Sequence, residues 1–262
     1  MIVFKKKLVT LAEERWGPPP GKGYGSGDYP GVDAITFLQT TAPVPGAFST
    51  ARTSTLIFDL TTDADKLFSG CNATTRKEIH RATEKDALVY AFWRNPPPEV
   101  TTEFREFFAQ FAASSGIEAI NPVNLKSYAA AGILDISVVR TPQGQALTWH
   151  SHTVDKGKVR QLHFASSRAS ADKEFRYLVG RSNRFHHWQD VLRFKNEGFA
   201  HYDWGGIYDG KDDPKKLHIN EFKMAFGGLP ATTYNCEVGL TLRGKAYLLA
   251  RQAFARVRSL RK

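Results

Sequence analysis

The chain has 262 residues, enough to bury a substantial core as one large domain or a domain and a half. Hydrophobic residues at 42% and aromatics at 12% fit a globular protein, and no window approaches the about 18 uninterrupted apolar residues of a membrane span. Thirty-six Lys and Arg against 26 Asp and Glu leave a net charge of +10, which draws anionic partners: nucleic acid, a CoA- or nucleotide-linked substrate, an acidic carrier protein or a membrane surface.

Met1-Ile2-Val3-Phe4-Lys5-Lys6-Lys7 places its charges after a very short apolar run, the wrong order for a secretory signal. Cys71 and Cys236 stand far apart with no spacing partner. The expectation is a cytoplasmic protein with reduced thiols. Residues 16–28, WGPPPGKGYGSGD, lack donors at proline and stiffness at glycine, so they read as a loop. That loop suits a lid better than a phosphate cradle, since it lacks P-loop spacing and no clear strand precedes it.

Strands are expected over 32–39 and 54–60, then a short helix capped by Asp63. Thr75 and Glu78 have capping-box spacing for a helix that carries Arg76, Lys77, His80, Arg81 and Lys85. Its charged face reads either as solvated surface or as a ramp for phosphates through Arg76, Lys77 and Arg81. Pro96-Pro97-Pro98 marks a break. Phe104, Phe107, Phe108 and Phe111 then recur at helical steps as a core stripe, and Asn121-Pro122 starts another helix that Gly132 ends.

Strands over 133–140, 145–154 and 158–165, turned at Pro142-Gln143-Gly144 and Asp155-Lys156-Gly157, make an antiparallel meander. A helical region over 171–197 follows, with a break expected at Gly180. A last strand over 232–242 and a basic helix from about Gly244, with Arg251, Arg256, Arg258, Arg261 and Lys262, finish the chain.

His150 and His152 share one strand face and His163 is placed across from them; a metal site there is weighed, and lining a cleft is preferred. His186 and His187 are helix neighbours, diverging by about 100°, and are not expected to serve one point.

Residues 199–228, FAHYDWGGIYDGKDDPKKLHINEFKMAFGG, organise the rest. Phe199, His201 and Asp203 alternate with Ala200, Tyr202 and Trp204 as in a strand, and Gly205-Gly206 stops it. After a polar loop, 219–226 reads as a short helix capped by Gly227-Gly228. A strand ending in two glycines beside a helix lets a ligand approach bare backbone, with Asp203 and Lys223 facing that place.

YDWGGI followed by NEFKMAFGG resembles the "YDFGG … FK..FGG" ending of FemAB-like proteins, a branch of the GNAT-fold acyltransferases. GRSNRFHHW leading into FKNEGF resembles the helix preceding that strand, and TRKEIHRA (75–82) is similar to the "R..IRKA" helix. The similarity spans roughly residues 55–230.

The resemblance implies an α/β (α+β) GNAT-like fold: a mixed, mostly antiparallel sheet flanked by helices. A truncated second GNAT-like half would occupy residues 1–95 and a complete acyltransferase domain 96–262. The first half is cut down to two strands and a helix, so the acceptor is not carried over.

The resemblance further implies an N-acyltransferase, an aminoacyltransferase rather than an acetyltransferase. Its donor would be aminoacyl-tRNA, with acyl-CoA or an acyl carrier protein as alternatives. The acceptor would be an amine on a cell-wall precursor, sugar or small metabolite. No bound cofactor and no metal are implied, and a peripheral membrane contact stays open. A non-catalytic module for RNA or anionic glycan is the rival from another class.

The family's FK maps onto Phe222 and Lys223, placing Lys223 against the oxyanion; taken alone, a lysine there snorkels to water. Asp203 is a candidate base or a turn cap, and His201 a second candidate base or a packed strand residue. Phe222, Trp204, Gly205, Gly206, His150, His152 and Asn220 complete the expected substrate site. Ser166-Ser167-Arg168-Ala169-Ser170-Ala171 lacks the glycines of an acetyl-CoA loop, which disfavours that donor, while Arg168 could assist an anion.

Overall fold

A computed structural model describes residues 1–6, 8–17, 21–167 and 172–259. Ten strands and seven helices are present among them. They form two compact units, residues 1–54 with 232–262, and residues 55–231.

In the first unit, β1 (Ile2–Lys6) and β2 (Val9–Arg15) form an antiparallel hairpin. β2 then runs parallel to β3 (Ala34–Thr40), which pairs antiparallel with the distal part of β10 (Leu229–Gly239). Beside β10 lies the first part of β4 (Ser49–Asp59), where the Thr53 and Thr233 hydroxyls meet at 2.9 Å. Ile35, Phe37, Cys236 and Val238 centre the core. α7 (Leu242–Ser259) packs through Gly244, where a side chain would collide with the Asp33 carbonyl. The β1–β2 hairpin was not expected from sequence.

In the second unit the strand order is β4, β9 (His201–Gly206), β8 (Lys158–Ser166), β7 (Ala146–Asp155), β6 (Leu134–Arg140), β5 (Val89–Arg94). All these pairings are antiparallel except β8 with β9. β6, β7 and β8 are the predicted meander; β5, VYAFWR, is an addition that pairs with β6 from Asp135 to Arg140.

The helices are α1 (Ala64–Gly70), α2 (Ala73–Glu84), α3 (Pro98–Ser115), α4 (Pro122–Ala130), α5 (Lys173–Asn196) and α6 (Pro214–Met224). Leu56, Phe58, Trp188, Phe194, Tyr202, Trp204 and Phe226 fill the core beside α5. Burying such side chains stabilises by about 1.5–3 kcal/mol each.

The compact units do not follow the 1–95 and 96–262 division. β4 carries its second half into pairing with β9, and β10 carries its second half back to β3.

Three local expectations also change. α2 starts at Ala73, because Asn72, not Thr75, accepts from the Thr75 N–H at 2.8 Å; Thr75 is itself buried. α5 runs unbroken through Gly180. α6 begins at Pro214 with Asp213 as cap, so it occupies much of the expected polar loop.

Among the described residues no helix is long and apolar enough to cross a membrane. Both cysteines are free and buried.

Candidate active site

β8 and β9 run parallel but pair over three steps only: Lys158 with His201, Val159 with Tyr202, Arg160 with Asp203. β8 then continues to Ser166, and the ladder between the two strands ends. The bend has a local cause. Gly205 adopts φ +80, the left-handed region that suits glycine, and the register of β9 against β4 shifts between Thr55 and Ile57.

Asp203 holds this bend. Its Oδ1 accepts the Gly205 N–H at 2.8 Å, and its Oδ2 accepts Arg160 Nη1 at 2.5 Å. The Thr55 hydroxyl lies between the Asp203 carboxylate and the Gly205 carbonyl. The carboxylate is thus committed to neighbours and is only 3% exposed.

α6 delivers Lys223 to the same point. Its Nζ donates to the carbonyls of Trp204 at 3.1 Å and Gly206 at 2.7 Å, and a Cβ on Gly205 would stand 4.0 Å from it. An ammonium has three N–H donors, so two are used by β9 among the described residues and one is left. Burial lowers the Lys223 pKa to about 8; Arg160 adds to the shift and Asp203 opposes it. The group remains mostly a cation at neutral pH.

α6 is set in place by its C-terminal end. Gly227 has φ +87, and a Cβ there would lie 2.5 Å from the Gly70 carbonyl oxygen. The Asn72 N–H donates to the Ala225 carbonyl at 2.8 Å, tying the start of α2 to the end of α6. Gly227 is therefore required by close backbone approach as well as by its φ, while a Cβ on Gly228 would meet the Phe58 and Leu56 side chains at 2.7 and 2.9 Å.

The structure sorts the other expected site residues. Phe222 is half-buried against Trp204 and His187, with the Arg184 guanidinium above its ring. Trp204 packs edge-on to Phe226 at 4.6 Å and is a core residue that contributes its carbonyl. Gly206 is exposed and Gly205 buried. Asn220 brackets Tyr208, accepting from its N–H at 2.9 Å and donating to its carbonyl at 2.7 Å, so its amide fixes the loop after β9. His201 starts β9 opposite Asp59 and Lys158, about 13 Å along the strand from Gly205. That separation removes it from Lys223.

Arg76 donates to the carbonyls of Ser69 and Cys71 at the end of α1, whereas Lys77 and Arg81 are exposed. Arg168 lies outside the described residues.

His150 and His152 do not line a cleft, because both are fully buried under α5. There they meet Asp190, which the sequence reading missed. Asp190 accepts from Tyr90 and Ser137 at 2.8 Å each and from His150 Nδ1 at 2.6 Å. Burial opposes its charge, yet these hydrogen bonds hold its carboxyl well below the usual range. Burial likewise pushes His150 down, and His186 and His187 well down, so the rings are neutral.

Both α5 histidines pack on one ring, contrary to expectation: His150 stacks on His186 at 3.6 Å and contacts His187 at 4.3 Å. The inserted His150 ring reaches both despite their divergence. His187 in turn touches Trp204 at 4.4 Å.

His150, His186 and Asp190 lie close enough together to be tested as a metal site. The His150 and His186 rings are stacked with only 7° between their planes, so their in-plane lone pairs run side by side rather than converging. His186 also has both nitrogens hydrogen-bonded, to Thr148 at 2.7 Å and Ser137 at 2.8 Å. The arrangement fits a hydrogen-bonded polar core better than a metal centre.

A cavity of about 330 Å³ opens where α4 and the residues before it meet β8, lined by Glu118, Asn121, Asn124, Tyr128, Leu162 and His163 among others. Leu162 adjoins Gln161, whose carbonyl faces Gly205.

No protein-family model and no curated protein matches the chain. Solved structures do. FemX superposes with a TM-score of 0.61 at 13% identity, covering 83% of this chain and 74% of that one. L-PGS from Bacillus licheniformis gives 0.52 at 12%, covering 83% and 72%. The C-terminal domain of a putative lysylphosphatidylglycerol synthetase from Agrobacterium fabrum gives 0.52 at 14%, covering 82% and 71%. The chain has the FemX-like GNAT fold, a mixed, mostly antiparallel sheet flanked by helices.

Proposed function

We propose that the chain is an N-acyltransferase that moves an activated acyl group, an aminoacyl group carried on tRNA, onto an amine of a cell-wall precursor, sugar or small metabolite. One observation carries the reading: a buried lysine cation, pinned by two carbonyls at the point where two parallel strands part, with one donor left over. The fold shared with FemX, with L-PGS and with a putative lysylphosphatidylglycerol synthetase supports the class. The resemblance of residues 199–228 to FemAB-like proteins favours tRNA as carrier.

In this reading a neutral amine attacks the ester carbonyl. The C–N bond forms, the carbonyl oxygen becomes an oxyanion, and the C–O bond to the carrier then breaks as the amine's proton passes to the leaving oxygen. Lys223 offers its remaining N–H to the oxyanion, in a setting where burial strengthens the interaction. Asp203 is a positioning residue: it holds Arg160 and the Gly205 bend, which present the carbonyls that aim Lys223.

The test is to incubate the protein with charged tRNAs, acyl-CoAs and acylated carrier proteins together with an amine mixture, and follow donor consumption by mass spectrometry. Consumption of aminoacyl-tRNA with a new amide is the expected result. Turnover with acyl-CoA alone would replace the donor, and no turnover with any donor would leave only a binding role.

A further inference from the structure

α7 carries a surface that the proposed chemistry does not use. Its 18 residues, LRGKAYLLARQAFARVRS, contain no acid. Gly244 and Leu248 are its buried contacts with the first unit. On the opposite side, Leu242, Ala246, Leu249, Ala253 and Val257 fall within about 80° of arc. All are exposed: Leu242 at 85%, Leu249 at 57% and Val257 at 49%, with Phe254 about 60° further round at 77%. An outward row of apolar side chains, three of them large, running from Leu242 to Val257 marks an interaction surface rather than scattered exposure.

Cations border the row. Lys245 and Arg256 lie along one edge and Arg243 along the other, all exposed. Lys6 of β1 adds a further one beside the helix, 3.4 Å from the Tyr247 hydroxyl. Glu237 and Asp33 pair with Arg251 and Arg243.

We infer that α7 lies flat on an anionic lipid surface, its apolar row entering the acyl boundary and its flanking cations meeting the headgroups. An apolar stripe edged by Lys and Arg with no acid is the pattern of an interfacial helix. A nucleic acid would engage the cations but leave the apolar row in water, and a second copy of this helix would set like charges against each other.

The experiment is flotation of the full-length protein with vesicles of equimolar phosphatidylglycerol and phosphatidylcholine, and with phosphatidylcholine alone. The protein floats with the anionic vesicles, less so as salt is raised, and weakly with the neutral ones. L249S/F254S, at two exposed positions, lowers partitioning about tenfold or more with an unchanged melting temperature. K245E/R256E lowers it chiefly at low salt. Failure of the wild type to float, or flotation unchanged in L249S/F254S, overturns the inference. So does a wild-type dimer that L249S/F254S turns into monomer, or a loss in K245E/R256E of tRNA binding alone.

Discussion

The Lys223 ammonium donates to the Gly206 carbonyl oxygen across 2.7 Å, joining the end of α6 to the bend of β9. Neither group is placed by its own element alone. Gly227 lets the C-terminal end of α6 approach Gly70, and Asp203 with Gly205 shapes the strand.

Replacing Lys223 with Ala removes the oxyanion donor. The expected loss is about 100-fold or more in kcat with the fold retained, since no charge is left unpaired. Steady-state kinetics beside circular dichroism checks this, and wild-type turnover in the folded variant ends the assignment.

The pH profile carries a sign. Lys223 must be protonated to donate, and its pKa is lowered to about 8. Activity is therefore present below that value and falls as pH rises through it. In Lys223→Arg, whose guanidinium stays charged, any residual activity loses this falling limb. A limb that rises through 8 in the wild type and vanishes in Lys223→Arg would make the lysine a base instead.

Asp203→Ala leaves Arg160 and the Gly205 N–H without their acceptor. A loss of about 3 kcal/mol is expected in urea unfolding, with reduced turnover as the bend relaxes. His201→Ala, at the far end of β9, should change kcat little.

The buried histidines make the fold acid-sensitive. His150, His186 and His187 are held neutral in the fold, so below about pH 6.5 the unfolded chain binds more protons than the folded one. Stability then falls with pH at about 1.4 kcal/mol per unit for each histidine that stays neutral. Melting temperatures between pH 7.5 and 5 read this directly; a flat profile would refute the neutral cluster.

Gly227→Ala forces a side chain into φ +87 and against the Gly70 carbonyl. A cost of about 2–3 kcal/mol and a drop in kcat are expected, because Lys223 is placed through this junction.

Much of the second unit was legible in the sequence. The meander showed through alternation and its turn residues, and the strand-then-helix order around Asp203 and Lys223 through the double glycines. The α6 start was legible too, as Asp213-Pro214, but the polar run of DGKDDPKK hid it behind a loop reading. β5 escaped because VYAFWR lies between a helix and a proline break without turn residues of its own. Asp190 escaped for a different reason: its partners His150 and Ser137 are 40 and 53 residues away, and only sheet pairing under α5 brings them together. Asp203 was legible as a residue of the bend, but its commitment to Arg160 and Thr55 was not.

Both thiols are withdrawn from solvent, and burial pushes the Cys71 pKa up to about 11, which suppresses its thiolate. A maleimide probe would therefore ignore the native chain. A single cysteine introduced at an exposed position becomes a selective attachment point for a fluorophore or spin label, with no cysteine-free background to build first.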